Sequence, residues 1–405
     1  MGDREPMPAR TAADTLRWAS ASSTLEGPRA AAEEAASAVL ARLGAARVDL
    51  ALAFFTAPFC AEAESLAEVV RSRLHPRCFA AVSAIAVIAA DREIETGPAL
   101  VLLAGHLPGV TVNPFVLVSS FWGDAMADPA EFARHTAGVT EAELVLLFGD
   151  LFSLNVAHVL AAFQQHAPRT RVVGGMASAA IRPNGNTLIL NDWQAHDGGI
   201  AISLGGALRA DVIVSQGCRP VGPALEVTQV EGNVIRALDG RPALERAEEV
   251  LSALPELERE HLRRGIYLGR PARGGASGRG DYVVRNLLGT DHGRGIAVAD
   301  LVQKHERVRL HIRDARIARK DLELMLSPQV VDSRADAALI FSCNERRALF
   351  GEPNFDVSTV QSALGGAVPA AGFFCAGDFG PVDEENFCHG HAASVAILRS
   401  RPAGG

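Results

Sequence analysis

Read for its apolar and polar positions, the chain falls into three segments with one rhythm. The first, about 47–105, runs as an apolar strand (VDLALAFFTA), a helix (AEAESLAEVVRSRL), a second apolar strand (CFAAVSAIAVIA) and a third (GPALVLLAGH). The second, about 143–217, repeats it with ELVLLFGDLFS, NVAHVLAAFQQHA, VVGGMASAAI, GGIAISLGG and ADVIVSQG. The third, about 335–398, has ADAALIFSC, a helix near 355–367, AAGFFCAGDFG and HAASVAILRS. A helix between two strands predicts a right-handed parallel crossover. A strand following a short loop turns back antiparallel, so the sheets are expected to be mixed. The first strands are near-continuous apolar runs, which implies burial on both faces. One helix covers one face, and the other then needs a second sheet. The pattern therefore predicts an α/β protein of repeated β-α-β-β units, with mixed sheets in helix–sheet–sheet–helix layers and two subdomains. The plain alternative is that the units look alike only because all buried strands look apolar.

Residues 219–330 follow a different pattern. VGPALEVTQVEGNVIRALDG alternates like a hairpin, and RPALERAEEVLSAL is a helix with Pro242 near its start. The run 270–281, rich in Gly and Arg, reads as a mobile loop. IAVADLVQKHERVRLHIRD reads as strand, turn and strand; ARKDLELML is a helix, and SPQVVDSRAD a linker. A boundary falls between 240 and 270.

Composition narrows the class. Hydrophobic residues are 48% and charged residues 21%, the balance of a globular chain. The net charge of −8 argues against nucleic acid or an anionic membrane as partner. The basic residues are nearly all Arg, with Lys only at 304 and 320, and no Arg cluster emerges. The apolar runs 48–61 and 78–90 fall short of the ~20 residues a bilayer needs. MGDREPMPAR has no signal-peptide core, and Cys60, Cys78, Cys343 and Cys375 lie in or beside apolar segments. Together these predict reduced thiols in a cytoplasmic compartment.

Motifs for common chemistries do not occur. There is no G-x-x-x-x-G-K-[ST] loop, no G-x-G-x-x-G opening a helix, and no C-x-x-C or H-E-x-x-H. AVSAI at 81–85 lacks the glycines of a nucleophile elbow. No cofactor is expected.

Three stretches put polar groups at strand ends: SQGCRPVGP (215–223), FSCNERRALFG (341–351) and FFCAGDFGPVDEENFCHGH (373–391). They supply Gly217, Cys218, Arg219, Cys343, Asn344, Arg346, Cys375, Gly377, Asp378 and His389. Gly174 and Gly175 in VVGGMAS join them as sites of close approach or packing. Sites in α/β sheets gather at such ends, glycine backbone admits a ligand closely, and an Arg pairs with a carboxylate. A pocket for a small anionic or zwitterionic molecule follows. The plain alternative has glycines serving turns, Arg346 paired with Asp378, and cysteines packing as small hydrophobes. Two further readings remain. Cys388, His389 and His391 with Cys343 and Cys375 have the ligand types of a zinc site, although neighbours on a strand diverge. Cys343 or Cys375 with His389 has the types of a nucleophilic pair. Ser153, beside Asp150, reads as a helix cap; Trp193 and His196 read as surface features.

These residues resemble the FIST (F-box and intracellular signal transduction) proteins. The likeness rests on RVVGGMAS, VIVSQGCRPVGP with VTQVEGNVIRALDGRPAL, FSCNERRALFG, and FFCAGDFGPV…NFCHGHAASVAI. It implies an N-terminal segment 1–47, a FIST N domain 48–240, a FIST C domain 241–385, and a C-terminal strand and tail 386–405. It also implies a sensory pair that binds small ligands such as amino acids and is not an enzyme. Neither an F-box nor a fused signalling module is expected here, so the output passes to a separate protein partner. A substrate-adaptor role, as in eukaryotic relatives, is the further alternative. The chain departs from the family pattern at Ala81, Val82 and Ser83 in the first unit, and at Arg346–Arg347, Asp378 and Ala392 in the third; the second and third units keep their patterns better than the first, which places the expected site there.

Overall fold

The computed structural model describes residues 15–401 apart from 119–127, 260, 263–264, 273–281, 292–293, 333 and 348. The first unit contains β1 (Arg17–Ser23), α1 (Pro28–Leu43), β2 (Leu50–Thr56), α2 (Ala63–Leu74), β3 (Cys78–Ala84), the hairpin β4 (Ala86–Ile88) and β5 (Glu93–Ile94), and β6 (Leu100–His106). The second contains β7 (Val110–Leu117), α3 (Pro129–His135), β8 (Leu144–Asp150), α4 (Val156–His166), β9 (Arg171–Ala177), the hairpin β10 (Leu188–Leu190) and β11 (Trp193–Ala195), and β12 (Gly199–Gly206). The third opens with β13 (Leu208–Ser215), and an insertion follows. It holds β14 (Cys218–Glu231), β15 (Val234–Leu238), β16 (Arg241–Pro242), α5 (Ala243–Ser252), α6 (Glu256–Arg259), β17 (Ile266–Pro271), β18 (Tyr282–Thr290), β19 (Ile296–Val298) and β20 (Arg307–Arg313). The third unit resumes with α7 (Ala315–Leu326), β21 (Ala337–Cys343), α8 (Phe355–Ala363), β22 (Ala370–Cys375), the hairpin β23 (Asp378–Val382) and β24 (Glu385–His389), and β25 (Ala393–Ser400).

Every unit thus reads edge strand, helix, strand, helix, strand, hairpin, return strand. The two central strands pair in parallel in each: β2 with β3, β8 with β9, β21 with β22. The return strand is antiparallel to the first of them, as the short connections dictate. The hairpins go elsewhere. The first unit's hairpin extends the third sheet, the third unit's extends the second, and the second unit's extends the first. Three six-stranded sheets of identical order result.

The α/β class and mixed sheets hold, but two stacked sheets are not what forms. Inward residues of all three sheets share one core: Leu52 and Phe54, Leu146 and Phe148, Leu339 and Phe341. Phe54 stands 5.8 Å from Phe148 and 6.0 Å from Phe341, centroid to centroid. The outward faces carry the helices, α1 and α2 on the first sheet, α3 and α4 on the second, α7 and α8 on the third. Burial on both faces explains the unbroken apolar strands. Three sheets, rather than two, supply the second covering surface. The alternation in 219–313 builds a separate body. Strands β14, β20, β17, β18, β19 and β15 close into a six-stranded barrel, with β14 pairing β15. Val308, Leu310 and Ile312 point into it; Arg309, His311 and Arg313 alternate outward. The loop predicted at 270–281 lies, from 273 onward, outside the described residues. No described helix is long and apolar enough to cross a membrane.

Candidate functional site

The strand ends of the third unit meet the barrel at a buried polar seam. β21 ends at Cys343, and a single 3-10 turn, Asn344–Arg346, carries the Arg346 side chain into the interior. Its guanidinium meets Asp356 in the first turn of α8, with Nε 3.1 Å and Nη2 2.6 Å from the two carboxylate oxygens. Ser342 Oγ donates to the same Asp356 at 2.6 Å. The partner of Arg346 is therefore Asp356, ten residues along the chain, and not Asp378. Its third nitrogen, Nη1, has no partner and faces Gly217, where a Cβ would lie 3.0 Å away. Gly217 has φ +63, a conformation that favours glycine.

Asp378 opens β23, opposite Gly175 of β9 on one side and His389 of β24 on the other. One oxygen accepts from Ser394 Oγ at 2.6 Å, and the other, Oδ1, has no partner. Burial pushes its carboxyl up to about 7. His389 Nε2 donates to Gly380 O at 2.9 Å, Nδ1 is unpartnered, and burial pushes the ring down to about 3. Burial also raises the thiols: Cys343 to about 11, Cys218 to about 12, and Cys375 well above its ordinary value. Cys375 Sγ lies 3.2 Å from Ser342 O.

The glycines serve close packing. A Cβ on Gly175 would sit 2.7 Å from that of Cys375, and one on Gly377 would sit 3.1 Å from Cys388 Sγ. A Cβ on Gly174, at φ +144, would strike the Leu147 carbonyl at 1.9 Å. Cys343, Arg346, Asp378, Cys375, Gly175, Gly377 and His389 thus gather around one buried region, with Gly217 and Cys218 reaching it from the barrel. Arg219 does not join; it pairs with Glu258 of α6 at 3.2 Å. Asn344 is half-buried on the turn. Among the described residues no three of His, Cys, Asp and Glu form a metal-ligand group. Ser153 is not a helix cap. It donates to Asp150 at 2.6 Å, while Asn155 caps α4 by accepting from His158 N at 3.3 Å. Trp193 is half-buried against the central core rather than a surface feature. His196 is exposed, the surface feature the sequence suggested, and sits 2.7 Å from Asn186 O through Nδ1.

Sequence reasoning missed the residues on the barrel side. Arg313 ends β20 because Asp314 caps α7, accepting from Arg316 N at 2.7 Å. Its Nη1 lies 3.0 Å from His391 Nδ1 and 3.4 Å from Glu345 Oε2, while Nε and Nη2 have no partner at hydrogen-bond geometry, with the Tyr267 hydroxyl close to the guanidinium. His391, at φ +69, also contacts Asn286 Oδ1 at 2.6 Å and Glu345 Oε2 at 2.6 Å. The Tyr267 ring packs edge-on against it, 4.7 Å between centroids. The hydrogen bond to His391 holds the Glu345 carboxyl below its usual value. The signal was present in RVRLHIRD, whose outward positions are Arg309, His311 and Arg313. An outward face reads as solvated unless another body covers it.

Cys218 pairs with Arg313 across β14 and β20 and feels the charge of both Arg313 and Arg346. It also lines a cleft of about 570 Å³ with Gln216, Val214, Asp321, Tyr282 and His311. Gln216 is fixed there, donating to Tyr282 O at 2.5 Å and accepting from Val284 N at 3.0 Å. The cleft lies where the third sheet, α7 and the barrel meet, beside the buried cluster rather than inside it.

A three-unit α/β body with a barrel inserted in its last unit is the class of molecule described. The FIST N domain matches residues 49–241 and the FIST C domain residues 243–381, and the chain belongs to the FIST family. The uncharacterized protein Mb0898c of Mycobacterium bovis is 34% identical over 384 residues, covering 93% of this chain and 97% of that protein. The uncharacterized protein Rv0628c of Mycobacterium tuberculosis is 34% identical over 385 residues, covering 93% and 98%. Among solved structures, a cyanuric acid hydrolase from A. caulinodans is similar over 96% of this chain and all of its own, with 7% identity and a TM-score of 0.37. At that score the likeness decides nothing about chemistry.

Proposed function

We propose that this protein is an intracellular sensory module that binds a small anionic or zwitterionic molecule at the seam between barrel and third sheet. One observation carries the reading: two buried arginines, Arg313 and Arg346, keep guanidinium N–H groups without partners. Such groups cost free energy when buried, about 1–3 kcal/mol each and more when charged. A ligand carboxylate offers them charge-assisted bonds. Cys218 joins the arginines to the cleft, which gives a ligand a route. The six cysteines are free thiols, consistent with a reducing, cytoplasmic compartment. The resemblance to sensory FIST proteins supports the same reading, with a signalling protein as the second partner.

Catalysis by Cys343 or Cys375 with His389 finds less support. An attacking thiol needs a lowered pKa, and burial moves both thiols the other way. Thermal-shift measurements against amino acids and small carboxylates test the binding reading. A ligand at 100 times its Kd is expected to add about 2.7 kcal/mol of stability. A broad panel without one stabilising anion rejects the proposal.

A further inference from the structure

The two buried arginines differ in which nitrogens they have engaged. Arg346 gives Nε and Nη2, its side-on fork, to the two oxygens of Asp356 and keeps only Nη1. Arg313 is the converse. Its Nη1 is held by His391 and Glu345, and Nε and Nη2 are the nitrogens left over. Nε and Nη2 together are the edge of a guanidinium that matches both oxygens of one carboxylate.

We propose that Arg313 is the ligand anchor, presenting its Nε–Nη2 fork to a carboxylate group, with Glu345 and His391 as positioning residues that fix the guanidinium through Nη1. This rests on the anion-binding reading above and names the chemistry of its ligand. The Arg313 side chain is 6% exposed, so the open fork lies in a dry setting where two charge-assisted bonds count for more than in water. Cys218 stands opposite it on the neighbouring strand and lines the cleft, so a ligand approaches from that side. The positioning contacts are mutually exclusive in part. His391 Nδ1 either donates to Glu345, 2.6 Å away, or accepts from Arg313, 3.0 Å away. Glu345, 55% exposed on its single turn, decides between them and so aims the fork.

The test uses the full chain with acetate, succinate and benzoate as probes, acetamide as the uncharged control, and Tm and calorimetry as readouts. At least one carboxylate is expected to bind the parent protein, and acetamide is not. Arg313→Lys keeps the charge and loses the fork; it is expected to weaken binding tenfold or more. Arg346→Lys removes a single free N–H rather than a fork and is expected to weaken binding by less than Arg313→Lys does. Glu345→Gln is expected to weaken binding by a smaller factor. Should Arg313→Lys not fold, Cys218→Leu fills the approach and is expected to abolish binding. Equal binding by parent and Arg313→Lys, or by parent and Cys218→Leu, overturns the anchor while the sensory reading stands. A carboxylate panel without any binding overturns both.

Discussion

The strand ends of the first and third units occupy equivalent places in equivalent sheets, yet their polar groups fare differently. In the first unit Thr56 Oγ1 donates to Gly97 O at 2.9 Å and accepts from Ala99 N at 2.8 Å. Ser83 Oγ accepts from Thr187 N at 2.8 Å. The second unit is equally complete: Asp150 accepts from Asn186 Nδ2 at 2.9 Å, Ser153 Oγ at 2.6 Å and Phe152 N at 3.1 Å. In the third unit and the strand beside it, Arg346 Nη1, Asp378 Oδ1 and the Arg313 fork have no partner. The repeat supplies a scaffold three times over. Among these strand ends the hydrogen bonding stops short only in the third unit and the barrel strand beside it; away from them Trp18 Nε1 and Gln164 Oε1 are also unpartnered, although buried polar groups are in general nearly always satisfied. Incompleteness, rather than position in the fold, marks the site.

Three perturbations sharpen this contrast. The largest expected effect is Arg346→Ala, which leaves Asp356 buried and unpaired and costs about 3–5 kcal/mol in urea unfolding. A loss below about 1 kcal/mol would mean that the pair does not order the turn. Next is Asp378→Asn, read against pH. The folded carboxyl titrates near 7 against an ordinary 3.8, so the folded state favours its neutral form. The stability this group contributes is present below about 4 and lost as pH rises through about 7. The parent is therefore expected to lose stability relative to Asp378→Asn across that window. His389, depressed to about 3, has the opposite slope but is common to both proteins and cancels. Parallel profiles would show that Asp378 is not held neutral. The smallest is Thr56→Val in the complete first unit, expected to cost about 1 kcal/mol. Carboxylate binding should be unchanged, and an altered ligand response would extend the site beyond the third unit.

Much of the fold was legible because the strands are buried on both faces. VDLALAFFTA and ADAALIFSC announce β2 and β21 within a few residues, and AEAESLAEVVRSRL gives α2. The hairpin exchange was not. CFAAVSAIAVIA reads as one strand, but the chain leaves the first sheet at Ile85 and enters the third at Ala86. Both sheets are apolar, so composition carries no mark of the change; the 39% exposure of Ile85 appears only in three dimensions. The pairing of Arg346 was missed for a related reason. Asp356 in the first turn of a helix already has a local explanation in the helix dipole, and nothing in FDVSTV says that its carboxylate turns inward. Of the site, the Cys343–Arg346 and Cys375–Asp378 segments were found by their broken apolar pattern. Arg313 and His391 escaped because their burial depends on the barrel docking.

The exchanged hairpins also bear on where this chain can be divided. The sheet built on residues 144–177 takes two strands from 378–389, and the sheet built on 337–375 takes two from 86–94. A cut near residue 242, between the two family matches, would strip both sheets of edge strands and bare their ladders to solvent or to aggregation. The halves named by sequence are accordingly not autonomous: each is a template that the other must complete.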